Sequence, residues 1–530
     1  MANDFEVVIV GSGFGGAVTA CRLAATGRKV LVLERGRDWK REDYPRAPGD
    51  AWLWDDDCPE RCNGWIDLRR FGDMTVVQGA AVGGGSLIYA NISVAAEPFV
   101  FAAGWPAEIT YQALQPHYEA AGRMLNVQEL PDNQLTERFK LMRDGAAALG
   151  HAARFRKLPL AVTFDPDWHY GLDDPHDDRH SRPWTNPQGQ AQGTCVHCGN
   201  CDIGCQVGAK NTLDLNYLAA ARTAGAEIRA DHIVRKLTPL DGSGYRVGFE
   251  RIAEGRLIPG AVTADRVVLA AGSLGSTELL LRCRDEHRTL SRLSDRLGHG
   301  WCSNGDFLTP AVYRDRRVSP TRGPTITAAI DFLDGSRGGN RFFVEDGGFP
   351  DALGNSIAEV TANAAKAGGP FATLFAAAGA LAGGRDPLDC IMPWFGQAVD
   401  VADGHLYLGR PWWNPLARKV LRLDWNFAKS EAVVQAMVEM HKDLSKATGG
   451  IPVEPLYWRW FRDLVTPHPL GGCAMADDPR NGVVDGRGRV HGHAGLYVAD
   501  GAVLPCAIGL NPSRTIAALA EHIAAAMIAE

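Results

Sequence analysis

The sequence contains no run of about 20 uninterrupted apolar residues, so it predicts no membrane-spanning helix. The cationic and apolar regions of a signal peptide are also missing ahead of the first apolar strand, which makes a cytoplasmic location the default expectation. No long basic run offsets the formal net charge of -7, and nucleic acid is therefore excluded as an expected partner. No internal repeat is present, and no feature of the sequence indicates an obligate protein partner.

The 12 cysteines are unevenly spaced, which is typical of reduced thiols and not of a disulfide framework. Four of them, Cys195, Cys198, Cys201 and Cys205, have the spacing C-x-x-C-x-x-C-x-x-x-C that ferredoxins use for iron–sulfur clusters. The next residue, however, is Gln206 and not the proline usual in that motif. An iron–sulfur cluster, a zinc site and free thiols remain open from the spacing, and we predict no metal.

What the sequence does contain is a complete opening of a dinucleotide-binding fold. The apolar run Phe5–Val10 predicts a buried strand, and the glycines of G-S-G-F-G-G at 11–16 predict a tight turn before a helix over 17–25. A second strand, Val30–Leu33, ends at Glu34, about 20 residues past the turn, where a carboxylate can bind ribose hydroxyls. These elements together predict that the chain binds a dinucleotide.

Two later segments repeat the pattern of strand, small-residue turn and helix. The first is Asp265–Leu281, and the second begins at Gly495 and passes Asp500 and Gly501 before a helix. Ligands of a doubly wound sheet bind at the carboxyl ends of its strands, so these turns are expected to converge on one ligand. Since the turns are far apart in the chain, we predict a discontinuous cofactor domain in an α/β protein.

Six motifs make the sequence resemble the glucose-methanol-choline (GMC) oxidoreductases, and within them the bacterial cholesterol oxidases that hold flavin without a covalent bond. They are G-S-G-F-G-G at 11–16, G-A-A-V-G-G-G-S-L at 79–87, G-A-K-N-T-L-D-L-N-Y-L at 208–218, A-A-G-S-L-G-S-T-E-L-L at 271–281, H-P-L-G-G-C at 468–473, and L-Y-V-A-D-G-A-V-L-P with G-L-N-P between 496 and 512. The resemblance is faint between about 307 and 464, the region expected to select the substrate.

The resemblance implies a Rossmann-like FAD-binding domain with an inserted α+β substrate-binding or cap domain. We expect residues 1–98, 207–306 and 465–530 to form the first, and residues 99–206 and 307–464 to form the second. FAD is the implied cofactor. The cofactor-binding positions that the resemblance implies are Gly11, Gly13, Phe14, Gly15, Gly16, Glu34, Gly79, Gly84, Gly85, Ser86, Asn91, Val234, Ala271, Gly272, Asp500, Gly501, Asn511 and Pro512.

His468, in H-P-L-G-G-C, is the main catalytic candidate. An alcohol gives up hydride more readily as its hydroxyl loses a proton, and histidine suits that task at neutral pH. Hydride transfer leaves negative charge on the flavin ring, and a helix N-terminus beside the ring stabilises it. The sequence predicts such a terminus with Asn511 as N-cap and Pro512 as the first helical residue.

Glu345 is a third catalytic candidate, at the end of the apolar run Phe342–Val344. It lies approximately where cholesterol oxidases place a catalytic carboxylate, and burial there would raise its pKa. A surface acid before a glycine turn is the alternative interpretation.

These features predict an FAD-dependent alcohol oxidase that uses O₂ and acts on a 3-hydroxysteroid, such as cholesterol, or on another bulky apolar alcohol. The alternatives are a flavin dehydrogenase with a quinone, cytochrome or carrier protein as acceptor, and an iron–sulfur electron-transfer flavoprotein. Two further segments have open interpretations. Asp165–His180 is expected to be a solvated loop and not a metal site, and Pro370–Gly383 could cover an apolar substrate, touch a membrane surface or be a buried helix.

Overall fold

The computed structural model describes residues 3–47, 49–351, 387–410, 414, 416–453 and 464–530. Within this part of the chain, no helix is long and apolar enough to cross a membrane. The apolar segment Pro370–Gly383 lies outside the described residues.

The larger of the two main sheets has the first strand, Phe5–Val10, at its centre. That strand pairs in parallel with Val30–Leu33 on one side and with the end of Arg256–Leu269 on the other. Leu496–Val498 also runs parallel to Arg256–Leu269, while Glu227–Arg229 lies beside Val30–Leu33 at the edge. The first part of Arg256–Leu269 continues into an antiparallel ribbon with two further strands, Tyr245–Ala253 and His232–Pro239. This sheet confirms the α/β class predicted from the sequence.

The first helix spans Phe14–Ala24 and begins three residues earlier than predicted. Its first backbone hydrogen bond joins the Ala17 amide to the Gly13 carbonyl at 2.8 Å, which makes Gly13 the N-cap. The helix therefore starts inside the glycine turn, and its N–H groups face the carboxyl ends of the strands.

Gly15 lets this helix approach the last strand of the sheet closely. A Cβ at Gly15 would lie 1.9 Å from the backbone oxygen of Ala499, which cannot move without displacing the strand. We expect Gly15→Ala to lower the free energy of unfolding by about 1–3 kcal/mol, because overpacking against backbone forces local displacement. Thermal unfolding against Gly49→Ala, whose Cβ would meet nothing within 4 Å, measures the effect. Equal stability of the two variants would contradict this close contact.

The second main sheet is antiparallel. Its strands, in order across the sheet, are Ile451–Pro452, Phe307–Val312, Ile391–Ala398, Phe342–Asp346, Ala328–Asp331 and Phe155–Lys157. Helix Glu431–Ala447 packs on this sheet and buries an apolar face that includes Met437, Val438 and Leu444. All six strands come from segments assigned to the cap from the sequence, although the domain limits themselves stay a prediction.

The remaining elements connect or cover the two sheets. The other described helices are Tyr111–Met124, Glu137–Ala148, Tyr217–Thr223, Gly272–Asp285 and Ser513–Ala529. The smaller sheets contain Leu53–Trp54, Ile66–Phe71, Met74–Gly79 and Leu464–Thr466; His299–Trp301, Gly404–Gly409 and Val420–Asp424; Gln128–Glu129 and Pro159–Leu160; and Trp184–Thr185 and Ala191–Gln192.

Candidate active site

A cavity of about 540 Å³ lies between the carboxyl ends of the parallel strands and the second sheet. Its side toward the large sheet is lined by the glycine turn that follows strand Phe5–Val10, and by Glu34, Ala271 and Asp500. Leu308 and Phe395 line its side toward the second sheet, and His468 lies between. The three strand-to-turn segments identified in the sequence therefore converge on one cavity.

Most of the predicted cofactor positions line this cavity. They are Gly11, Gly13, Phe14, Gly15, Glu34, Gly79, Gly84, Gly85, Val234, Ala271, Gly272, Asp500, Gly501, Asn511 and Pro512. Gly16, Ser86 and Asn91 do not line it. Gly16 packs against the Gly11 carbonyl, and the Ser86 hydroxyl is used by the Gly83 carbonyl and the Leu213 amide. Asn91 is fully buried beside Cys201, so none of these three residues faces the cavity.

The backbone along this side of the cavity is open to a ligand. A Cβ at Gly13 or Gly85 would meet no protein atom within 4 Å, so each of these glycines leaves its backbone accessible from the cavity. Gly11 has φ of +95°, and a Cβ there would lie 2.4 Å from the Ala270 oxygen. Such exposed backbone beside a helix N-terminus fits the pyrophosphate of a dinucleotide.

Glu34 connects the glycine turn to the second strand. Its carboxylate accepts hydrogen bonds from the Ser12 amide at 2.9 Å, the Ser12 hydroxyl at 2.6 Å and the Gly36 amide at 2.9 Å. Burial raises the pKa of this carboxyl, and the bonds from Ser12 and Gly36 partly offset that rise. Glu34 therefore fixes the turn and also presents its side chain to the cavity, where the ribose is predicted to bind.

Asp500 similarly joins two of the turns. One carboxylate oxygen accepts hydrogen bonds from the Gly272 amide at 2.8 Å and the Ser276 hydroxyl at 2.5 Å, and the other accepts from the Ala502 amide at 2.9 Å. Burial raises the pKa of Asp500 to about 6. The residue holds the turn after Leu269 against the turn after Val498, both at the cavity.

The last helix begins later than the sequence predicted. Ser513 is its first residue, and the first backbone bond, from the Ile516 amide to the Pro512 carbonyl at 2.9 Å, makes Pro512 the N-cap. The predictions of Asn511 as N-cap and Pro512 as first helical residue are therefore wrong by one position. As a consequence Asn511 is free of capping: it lines the cavity, and its buried Oδ1 has no hydrogen-bond partner among the described residues.

His468 is held by a buried carboxylate. Its Nδ1 lies 2.8 Å from Oδ1 of Asp306, and its backbone amide donates to the Thr466 hydroxyl at 2.9 Å. That hydroxyl also lies 2.6 Å from Oδ2 of Asp306. The imidazole makes no hydrogen bond through Nε2 to any residue that the structure describes, and it lines the cavity. Nε2 is therefore the nitrogen available to a substrate hydroxyl.

Glu345 is buried and lies directly behind the cavity wall. It is fully inaccessible in strand Phe342–Asp346, which rules out the surface interpretation. Gln397 donates to its Oε2 at 2.9 Å. Burial raises the pKa of Glu345 to about 8, while its contacts with Gln397 and with the cavity residue Asn511 lower it by less. The carboxyl is thus mainly protonated at neutral pH.

Sequence reasoning missed three residues of this arrangement. Thr466 is only two residues before His468, so its proximity to that motif was a usable signal. Asp306 and Gln397 are distant in the chain from the residues they contact, and neither lies in a recognisable motif. Only the pairing of the second sheet's strands brings Asp306, Glu345 and Gln397 together.

The four closely spaced cysteines lie outside the main cavity. They are unpaired and line a separate space of only about 10 Å³, which is room for one water molecule. Among the described residues, no group of three or more His, Cys, Asp or Glu side chains is arranged to hold a metal ion. The absence of a metal stays a prediction.

The loop Asp165–His180 covers the cysteine segment. Most of it is exposed, as expected, but Trp168 is buried and stacks on His197 with ring centroids 4.0 Å apart. Trp168 therefore packs the loop against the cysteine segment, and most of the loop's charged residues face solvent, although Asp165 is buried.

Comparison with known proteins agrees with the geometry. Residues 183–287 and 401–520 match the two models of the GMC oxidoreductase family, and residues 9–39 match an NAD(P)-binding Rossmann-like domain. The chain is 30% identical to a cholesterol oxidase of Acinetobacter baumannii, over 98% of this chain and 93% of that protein. It is also 30% identical to a cholesterol oxidase of Mycobacterium tuberculosis, over 99% of this chain and 91% of the relative.

More distant relatives and solved structures extend the comparison. A long-chain-alcohol oxidase of Arabidopsis thaliana is 24% identical, over 99% of this chain and 67% of its own. The structure of pyridoxine 4-oxidase from Mesorbium loti has a TM-score of 0.64 at 16% identity, covering 99% of this chain and 100% of that one. A fungal aryl-alcohol oxidase structure gives a TM-score of 0.55 at 16% identity, covering 100% and 99%. The two structures show the fold, and the 30% identical relatives show the family.

A dinucleotide cradle of exposed glycine backbone, a histidine beside it and nearly full-length similarity to curated oxidases lead to one assignment. The chain belongs to the GMC oxidoreductase family and is an FAD-dependent enzyme that oxidises CH–OH groups.

Proposed function

We propose that this enzyme is an oxidase of bulky apolar alcohols, with a 3-hydroxysteroid such as cholesterol as the favoured substrate and O₂ as the electron acceptor. The observation that carries the proposal is the placement of His468 on the cavity and of Glu345 immediately behind Asn511. The names of the 30% identical relatives support the sterol, and the apolar residues Leu308, Ile326 and Phe395 on the cavity wall suit a hydrocarbon body.

The residues of the chain divide the reaction between them. Bound FAD supplies the acceptor for the hydride that leaves the alcohol carbon. Nε2 of His468 accepts the hydroxyl proton, so that the carbon–oxygen bond gains double-bond character as the hydride departs. The Asn511 amide and the N-terminus of helix Ser513–Ala529, which both line the cavity, would stabilise negative charge on the reduced ring.

An anaerobic absorption experiment tests the substrate and acceptor in one sample. We expect the oxidised-flavin bands to bleach when a 3-hydroxysteroid is added and to return, with formation of H₂O₂, when air is admitted. Flavin that stays oxidised would reject the sterol. Flavin that bleaches but does not return in air would favour the alternative, a dehydrogenase with a quinone, cytochrome or carrier protein as acceptor.

Glu345 is proposed to move the proton that converts the first ketone of a sterol into the conjugated enone. We expect Glu345→Gln to keep alcohol oxidation within about tenfold of the wild type but to accumulate the unconjugated ketone, since glutamine cannot accept a proton. Ultraviolet absorbance of the enone measures the loss.

The pH dependence follows from the same carboxyl. A proton acceptor works in its ionised form, and the pKa of Glu345 is raised to about 8, so isomerisation should speed up as the pH rises toward and through 8. Glu6→Gln is the control, because Glu6 is exposed and does not line the cavity. Unchanged enone formation in Glu345→Gln would remove Glu345 from the reaction.

A further inference from the structure

Asp306 is a completely buried carboxylate that immediately precedes strand Phe307–Val312. Its side-chain partners are the imidazole of His468 and the hydroxyl of Thr466, at 2.8 Å and 2.6 Å. Burial of an ionised carboxylate is unfavourable unless its partners compensate, and truncating such partners is strongly destabilising. A carboxylate in this position therefore lowers the free energy of unfolding unless its partners compensate, which points to a role in the site.

The hydrogen bond at Nδ1 decides which nitrogen of His468 faces the cavity. An ionised Asp306 only accepts, so Nδ1 must carry the proton and Nε2 must present its lone pair. A protonated Asp306 would instead donate to Nδ1, and Nε2 would then carry the proton and could not act as a base. The ionisation of Asp306 therefore determines whether His468 is ready for catalysis.

Asp306 also acts on neighbouring acids that it does not touch. The titratable groups that face it are His468, Glu345, Asp400 and the thiol of Cys302. Its negative charge contributes to raising the pKa of Glu345 to about 8 and that of Asp400 to about 7, in both cases after the larger effect of burial. The second carboxyl near Glu345, Asp346, raises the pKa of Glu345 more than Asp306 does, and it is itself engaged by Arg138 and Thr327.

We propose that Asp306 is the positioning residue of the site, and that its charge holds His468 in the Nδ1–H tautomer while acting across the second sheet on the carboxyl of Glu345. This inference rests on the proposed roles of His468 and Glu345. In the reaction the substrate O–H bond breaks, its proton goes to Nε2 of His468, and the hydride goes from the alcohol carbon to FAD. Ionised Asp306 stabilises the imidazolium that results, and the same charge acts on the carboxyl of Glu345.

The first test needs no substrate. In holoenzyme labelled with ¹⁵N-histidine, the resonances of His468 are identified by their loss in His468→Gln, and they are expected to show the Nδ1–H tautomer in the wild type. Asp306→Asn should shift the population toward Nε2–H, because the asparagine amide can donate as well as accept. Asp400→Asn is the comparison variant: it replaces a second buried carboxyl, which accepts hydrogen bonds from Ser303 and makes no direct contact with His468.

The second test measures the ionisation of the Glu345 carboxyl. The infrared band of a protonated carboxyl that disappears in Glu345→Gln should titrate near pH 8 in the wild type and at lower pH in Asp306→Asn, while Asp400→Asn leaves it in place. Flavin reduction by an alcohol should slow at least about 100-fold in Asp306→Asn and less than about threefold in Asp400→Asn.

The outcomes separate this inference from the proposed substrate. A wild-type enzyme that steroid does not reduce rejects the sterol, yet the tautomer and infrared titrations still test Asp306. An Nε2–H tautomer in the wild type, or identical tautomer signals in the wild type and Asp306→Asn, would overturn the proposal. A folded, FAD-containing Asp306→Asn enzyme with both shifts supports it, and equal effects from Asp400→Asn would reduce Asp306 to a structural residue.

Discussion

His468→Gln is expected to retain FAD but to undergo flavin reduction by its alcohol substrate about 10²- to 10⁴-fold more slowly than the wild type. Glutamine approximates the size of the imidazole but cannot accept the hydroxyl proton. The cavity glycines and Glu34, which are predicted to hold the cofactor, are unchanged by this substitution. Stopped-flow absorbance under anaerobic conditions measures the rate, and the bound flavin spectrum measures cofactor content.

His299→Ala provides the control for this experiment. His299 stacks on His405 with centroids 3.9 Å apart and does not line the cavity, so its loss should leave flavin reduction within about twofold of the wild type. A rate for His468→Gln within tenfold of the wild type would show that another group accepts the proton.

The second large effect is expected at Glu34. Glu34→Ala should yield protein with little or no FAD, because it removes the carboxylate predicted to bind the ribose and leaves the Ser12 amide without its acceptor. Each hydrogen bond to a charged group is worth about 1.5–3 kcal/mol. Losing two hydrogen bonds between the carboxylate and the ribose hydroxyls therefore corresponds to at least about a 100-fold loss of affinity for FAD. The ratio of flavin to protein absorbance after purification, and titration of the apoprotein with FAD, measure this loss.

Glu6→Ala is the matched control, because Glu6 is an exposed carboxylate on the first strand whose side chain accepts from the Lys29 amide at 2.8 Å. It lies outside the cavity and should retain full FAD content. Full occupancy in Glu34→Ala would mean that the ribose is held by other residues.

The cofactor half of the site was predictable because its determinants are local. The glycine turn, the strands on either side and Glu34 lie within 30 residues of one another, and period, glycine position and acid spacing specify their geometry. The prediction of where helices begin was less accurate. The first helix begins three residues before its predicted start, with Gly13 as N-cap, and the last helix begins one residue after its predicted start, with Pro512 as N-cap. The shift matters for Asn511, whose side chain does not cap the helix and instead lines the cavity.

The amino-acid sequence by itself determined that this chain folds around a dinucleotide and placed His468, Asn511 and Glu345 as candidates. The tertiary structure alone decided that Asp306 holds His468 and that Gln397 and Asn511 contact Glu345. Short-range patterns encode turns and amphipathic faces, whereas a hydrogen bond between residues more than 100 positions apart, such as that of His468 with Asp306, depends on how distant strands pair. The protonation of the site depends on burial and on neighbouring charge, and both are products of the folded chain.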